Sequence, residues 1–336
     1  MNKNLKKKLL TGAGVLLIAL VGLCAWQFYM PASFTSSQTV FYRATSGLGN
    51  TEIAKGLDEQ GVIGSSFFFE LYALLSGNAG KLQAGLYDIS PNMSIAAIVK
   101  KIATGDVAKH KVTILEGWDV IDTANYLEKK KIYTQDEFNT AIQKDYSKEF
   151  AFLKGKPKDI TLEGFIFPDT YKVPVGISAE DFVRMTLNNF NNRLTSAMRK
   201  QITANKKSIF QVVTMASILE KEVPGLTDKK IVAGILWKRI VNGMPLQVDA
   251  TVNYATGKSD PRVTLADSKV DSRYNTYKYY GLPVGPISSP GAESLIAAIN
   301  PTKTEYWFYF SASANGKTIY SKTFKEHSAG VSKYLN

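Results

Sequence analysis

An α+β fold is expected, built from an amino-terminal transmembrane helix, one or two small β-α-α-β modules, and a mixed, helix-rich carboxy-terminal domain with a β-hairpin near its end. Three observations predict it. Residues 9–29 form an apolar run of 21 residues with no charge. From residue 40, short strand-like stretches alternate with amphipathic stretches of helical period. Beyond residue 160 the helical patterns lengthen, and Pro, Gly and Tyr collect in the loops between them.

At 336 residues the chain has room for two or three domains, and 45% hydrophobic against 21% charged residues excludes a disordered chain. The net charge is +12, and four lysines (Lys3, Lys6, Lys7, Lys8) precede residue 10. The remainder still carries 37 basic against 29 acidic residues, which favours anionic surfaces without choosing among them. The basic residues are dispersed and match no nucleic-acid motif, so a nucleic-acid partner is not expected. Cys24 is the one cysteine and lies in the apolar run, which excludes disulfides and a cysteine nucleophile. With His110 and His327 the only histidines, no metal site is expected, and no cofactor. His327 is read as a structural histidine.

Leu9–Tyr29 covers roughly 30 Å as a helix, the thickness of a bilayer core. Trp26, Phe28 and Tyr29 stand at its far end, where aromatic rings favour the interface, and the lysines of a basic tail (1–8) stand at the other. That asymmetry predicts a cytoplasmic amino terminus with everything after residue 29 outside a cytoplasmic membrane. Met30-Pro31-Ala32 is a poor cleavage site and Leu23 is too large to precede a lipidated cysteine, so an uncleaved anchor is expected. A Ser/Thr-rich linker (30–39) follows, reaching at most about 30 Å when stretched.

Residues 40–109 read as strand (Val40–Arg43), helix (Thr51–Gln60, capped by Asn50), helix (Phe67–Leu75, capped by Ser65 or Ser66) and strand (Leu82–Ile89), then a helix from Ser94 to Gly105. The β-α-α-β order resembles a LysM module, a small glycan-holding fold. Residues 110–160 begin the pattern again, with a strand at Val112–Leu115, a helix at Val120–Lys130 and a capping box at Thr134–Glu137. They are read as a second small α/β module.

From residue 161 to 336 a third domain is expected. Ser178 and Asp181 open a helix running to about Lys200, and Ser208 opens Ile209–Glu222, apolar nearly all round and therefore central. Helices follow from Asp228 to Gly243 and from Ser289-Pro290 to Pro301. Tyr306–Phe310 and Thr318–Tyr320, joined through Asn315-Gly316, read as the hairpin.

The central helix ends Ala216-Ser-Ile-Leu-Glu220-Lys-Glu222. Burial and the negative end of the helix dipole both raise a carboxyl pKa, which suits a general acid near neutral pH. Pairing of either acid with Lys221, Lys229 or Lys230 at a solvated helix end is the competing reading. Glu220 is the better candidate, because Ser217, Ala216 and Val213 beside it are small enough to leave room for a ligand. Glu222, stacked over Leu219 and Ile218, suits a supporting role.

The same segment resembles the catalytic signature of the MltG (YceG-like) endolytic murein transglycosylases. Leu162-Glu-Gly-Phe-Ile-Phe-Pro-Asp-Thr-Tyr171, Leu246-Gln-Val-Asp-Ala-Thr-Val-Asn-Tyr254, Tyr274-Asn-Thr-Tyr277, Gly281-Leu-Pro-Val-Gly-Pro286, Ser289-Pro-Gly-Ala292 and Leu82-Gln-Ala-Gly-Leu-Tyr87 resemble other words of that family, in order. The resemblance implies a lyase that cuts MurNAc–GlcNAc bonds inside nascent peptidoglycan strands, leaves 1,6-anhydroMurNAc ends, and so terminates or trims the strands. Glu220 falls on the family's catalytic glutamate. Glu222 and Glu163 are possible supporting groups, and Gln247, Asp249, Thr251, Asn275, Thr276 and Tyr277 are expected to bind the glycan. Expected partners are glycan strands, the membrane and membrane-bound peptidoglycan synthases. The alternative is a membrane-tethered peptidoglycan-binding protein with no activity, which leaves Glu220 on its apolar helix unexplained.

Overall fold

A computed structural model describes residues 3–258, 263–312 and 317–334, and the chain divides into two compact units. The first holds Met1–His110 with Lys172–Gly176, the second Lys111–Tyr171 with Ile177–Asn336.

The first unit opens with α1 (Lys3–Tyr29), whose Leu10–Tyr29 stretch is long and apolar enough to cross a membrane and is exposed over most of its length. Strand β1 (Val40–Ala44), helices α2 (Asn50–Glu59) and α3 (Ser66–Leu75), strand β2 (Gly85–Ile89) and helix α4 (Ile95–Ala103) follow, giving the expected β-α-α-β order. β1 and β2 pair antiparallel, Val40 opposite Ile89. Tyr42, Ile53, Leu57, Phe69, Tyr87 and Ile98 form the core, each worth roughly 1.5–3 kcal/mol of burial. Asn50 does not cap α2 as expected. Gly49 holds the cap position, and Asn50 Oδ1 accepts from Gly80 N at 3.3 Å instead.

The linker is also not the free tether that its composition suggests. Pro31 bridges Ser94, Ser33 N donates to Pro91 O at 2.9 Å, and Phe28 at the end of α1 is buried against α3. Residues 30–36 are thus laid along the module, and their contour length does not set its reach.

After β3 (Lys109–Thr113) come α5 (Val120–Lys129), α6 (Gln135–Gln143), a 3-10 turn at Ala151–Leu153, and β4 (Thr170–Pro174), which pairs with β3. The strand–helix–helix–strand order therefore recurs. The Thr134–Glu137 capping box forms as expected. Residues 111–171 belong to the same compact unit as 177–336.

In the second unit the helix expected over 178–200 is two: α7 (Ala179–Arg193) and α8 (Ser196–Ala204), broken at Leu194, with Thr195 Oγ1 accepting from Met198 N to start the second. Helix α9 (Ile209–Glu222) has the expected bounds and is central, with Val212 through Leu219 all buried. Around it pack α10 (Leu226–Val241), α11 (Asp249–Thr256) and α12 (Ala292–Ile299). α11 was not anticipated, and α12 starts after Gly291 rather than at Ser289-Pro290. Strands β5 (Phe308–Ser311) and β6 (Thr318–Ser321) pair antiparallel, Phe308 opposite Ser321. The expected Asn315-Gly316 turn lies outside the described residues. An unanticipated α13 (Phe324–Tyr334) follows, and the His327 ring stacks on Phe308 with centroids 5.4 Å apart.

Candidate active site

The candidate catalytic and glycan-binding residues all lie in the second unit. The last turn of α9 presents Glu220 and Glu222, which helical geometry turns about 200° apart, so they meet different surroundings.

Glu220 is enclosed. Its side chain is 8% exposed and that of Lys229, on α10, is 6% exposed. Lys229 Nζ donates to Oε1 at 3.0 Å, while Gly291 N and Ser294 Oγ donate to Oε2 at 2.9 and 2.6 Å. Each carboxylate oxygen is therefore engaged, and the group is fixed by α10 on one side and the start of α12 on the other. The pairing with a lysine that the sequence left open exists, but it is buried rather than solvated. The room expected beside Ser217 and Ala216 is filled. Ser217 Oγ accepts from Ile287 N and Ser217 O accepts from Ser288 Oγ, both at 3.0 Å, so the 287–291 segment is bound along the helix.

That segment is joined in turn to the loop after β3. Gly117 N donates to Ser289 O at 2.9 Å and Ser289 N to Trp118 O at 2.6 Å. The loop brings in Glu116, which sequence reasoning missed. A β-carbon on Gly291 would stand 2.0 Å from Glu116 Oε1, so only glycine lets the carboxyl approach this closely. Partial burial, then the charge of Glu220, pushes the Glu116 pKa above the ordinary carboxyl range. The sequence signal was an acid followed by Gly117, whose φ is +78°, directly after a strand. Ser294 was missed too, since a serine within a helix announces nothing.

Glu222 faces an open cavity of about 700 Å³ that Asp119, Lys221, Asp249 and Tyr254 also line. Its Oε2 accepts from Tyr309 OH at 2.8 Å. Burial, with the Asp249 charge adding, pushes its pKa up to about 7. A raised carboxyl is thus found at Glu222, which forms part of the cavity wall.

Glu163 is buried, and its Oε2 accepts from Val120 N at 3.0 Å, at the start of α5, and from Tyr254 OH at 3.1 Å. Burial pushes its pKa up to about 8. Of the six residues expected to bind glycan, Asp249 lines the cavity and accepts from Tyr277 OH. Gln247 is exposed, with φ +51°. Thr251, Asn275 and Thr276, expected to touch glycan, are buried and spend their polar groups on internal hydrogen bonds. Thr251 and Thr276 share a hydroxyl hydrogen bond of 2.9 Å, and Asn275 Nδ2 donates to Ser268 O and Val270 O. These three tie the 272–277 turn to the start of α11, which carries Asp249.

Comparison with known proteins agrees with this architecture. The YceG-like family matches residues 43–333. An endolytic murein transglycosylase of Bacillus subtilis is 33% identical over 318 residues, which take in 91% of this chain and 88% of that protein. One from Streptococcus pneumoniae is 28% identical, the match taking in 91% of this chain but 60% of the longer pneumococcal protein. The 2.6 Å crystal structure of a YceG-like protein from Listeria monocytogenes superposes with a TM-score of 0.59 at 30% identity, over 87% of this chain and 99% of that one. With matched sequence running from β1 through α13, the chain belongs to the YceG-like family.

Proposed function

We propose that this chain is a membrane-held endolytic murein transglycosylase that cleaves MurNAc–GlcNAc bonds within nascent glycan strands, with Glu220 moving the proton. The observation that carries the reading is the fixing of the Glu220 carboxylate by Lys229, Gly291 N–H and Ser294 at the end of the buried α9. In the reaction the Glu220 carboxyl gives its proton to the leaving GlcNAc oxygen as the C1–O bond breaks. The MurNAc C6 hydroxyl then attacks C1, and its proton passes to the Glu220 carboxylate. A 1,6-anhydro ring closes, no water is consumed, and a second carboxylate to activate water is not required, unlike in ordinary glycosidases. One group serves as acid and then as base, so it must stay put between steps, and three donors, one from α10 and two from the start of α12, provide that.

Glu222 supports a second reading of the same reaction, because it borders the cavity and carries a pKa of about 7. Glu220→Gln and Glu222→Gln separate the two. Purified glycan strands are digested and the products are weighed by mass spectrometry. Loss of anhydro-ended products with Glu220→Gln and their survival with Glu222→Gln support the first assignment; the reverse supports the second.

In this proposal α1 anchors the chain with its amino terminus in the cytoplasm and everything after residue 29 outside, the 40–109 module holds glycan in the manner of LysM, and residues 161–336 carry out the cleavage. Membrane-bound synthases are the natural source of strands at that height above the bilayer.

A further inference from the structure

Helix α3 is apolar on the wrong side for a solvated helix. Phe69 and Ala73 face the core of the first unit. At roughly 100° per residue, Phe67, Leu71 and Leu74 project from the opposite side, with Leu75 beside them. Phe67, Leu74 and Leu75 are 64%, 65% and 68% exposed. An amphipathic surface helix carries polar residues there.

Between the core face and this stripe lies a third face, and it touches the anchor. Phe28 meets Phe68 and Tyr72 edge-on with ring centroids 6.2 and 5.1 Å apart, and Tyr29 meets Tyr72 at 6.2 Å. Those anchor residues form the outer end of the apolar span, where Trp26 and Tyr29 are exposed as rings at a membrane interface would be. Ser33 N bonded to Pro91 O leaves the module no slack to drift away. An apolar stripe continuous with a span end faces the same lipid as the span.

We infer that Phe67, Leu71, Leu74 and Leu75 of α3 lie in the interfacial layer of the bilayer that α1 crosses, about 5–10 Å into the headgroup and acyl boundary. The inference rests on reading α1 as a membrane anchor. The first unit then lies on the membrane surface rather than hanging from a tether.

The test uses the full chain in nanodiscs whose phosphatidylcholine carries doxyl quenchers on the acyl chains. The fluorophore NBD is attached to the native Cys24, the one cysteine of the chain, or, in a Cys24→Ser background, to Phe67→Cys, Leu74→Cys or Lys55→Cys. Lys55 is an exposed α2 residue outside the stripe. Both stripe positions should be quenched several-fold more than Lys55, with Cys24 quenched as well. Quenching at Cys24 without quenching at either stripe position overturns the inference and leaves the anchor standing. Equal quenching at Lys55 overturns it too, since nothing then singles out the stripe. No quenching at Cys24 removes the anchor and the inference together.

Discussion

Removing the ammonium of Lys229 should cost this protein far more than removing the carboxylate with it. Lys229 and Glu220 side chains are 6% and 8% exposed, with 3.0 Å between Nζ and Oε1. At that separation the pair attracts by roughly 5–6 kcal/mol with an effective dielectric constant near 20. Dehydrating both ions offsets much of this, so the pair adds little net stability as a whole. In Lys229→Met the offset is lost one-sidedly, because the carboxylate stays buried with only Gly291 N–H and Ser294 Oγ as donors. The expected cost is about 3–5 kcal/mol. For a unit of this size each kcal/mol moves the melting point by about 2–4 °C, so a fall of roughly 6–20 °C is expected. Three of the four tryptophans (Trp118, Trp237, Trp307) lie in the second unit, so tryptophan fluorescence during heating follows it. Glu220→Gln combined with Lys229→Met should melt higher than Lys229→Met alone, since no charge is left behind. A single variant melting within about 2 °C of the parent, or a double variant no more stable than the single, refutes the reasoning.

Other outcomes follow from the same geometry. Glu163, raised to about 8 in the fold, keeps a proton there that the unfolded chain releases above its ordinary carboxyl pKa. Its stabilisation is therefore full at low pH and is lost as pH rises from about 4.5 to about 8. Glu163→Gln should flatten the decline of chemical-denaturation stability across that window, and an unchanged slope counts against the burial argument. Gly291→Ala keeps the N–H that holds Glu220 but drives a methyl onto Glu116. The melting temperature should fall, and adding Glu116→Ala, which removes the carboxyl that the methyl meets, should recover it. Thr276→Val removes the hydroxyl shared by Thr251 and Val248 N, leaving buried groups unpaired. A stability loss of about 1–3 kcal/mol by urea denaturation is expected.

How much of this was legible in the residues follows from how far apart the deciding partners are. The long apolar helix α1, the Thr134–Glu137 capping box and both ends of α9 were readable, because a helix start is settled by side chains three residues from the backbone they cap and an apolar run by its own length. The break at Leu194 was not. The apolar pattern runs on through it, with Phe190 and Leu194 both buried, while the backbone leaves the helix at Leu194 and Thr195 caps a new one. Helix α11 was hidden for a reason of longer range. It begins where Gln247 takes a positive φ, and the turn is pinned by a hydroxyl of Thr276, 25 residues beyond its partner Thr251.

The candidate site divides along the same line. Helical spacing alone turns Glu220 and Glu222 to different sides of α9, and both acids could be named from their place at the end of an apolar helix. Which of them would be enclosed and which would face open space was another matter. Glu220 is held by groups 9, 71 and 74 residues away in the chain. Local residue size suggested space beside Ser217, but space is a property of what packs there, and the 287–291 segment fills it. A short-range pattern fixes which way a side chain leaves its helix. The charge, donor or cavity it meets is supplied by distant segments that folding brings to it.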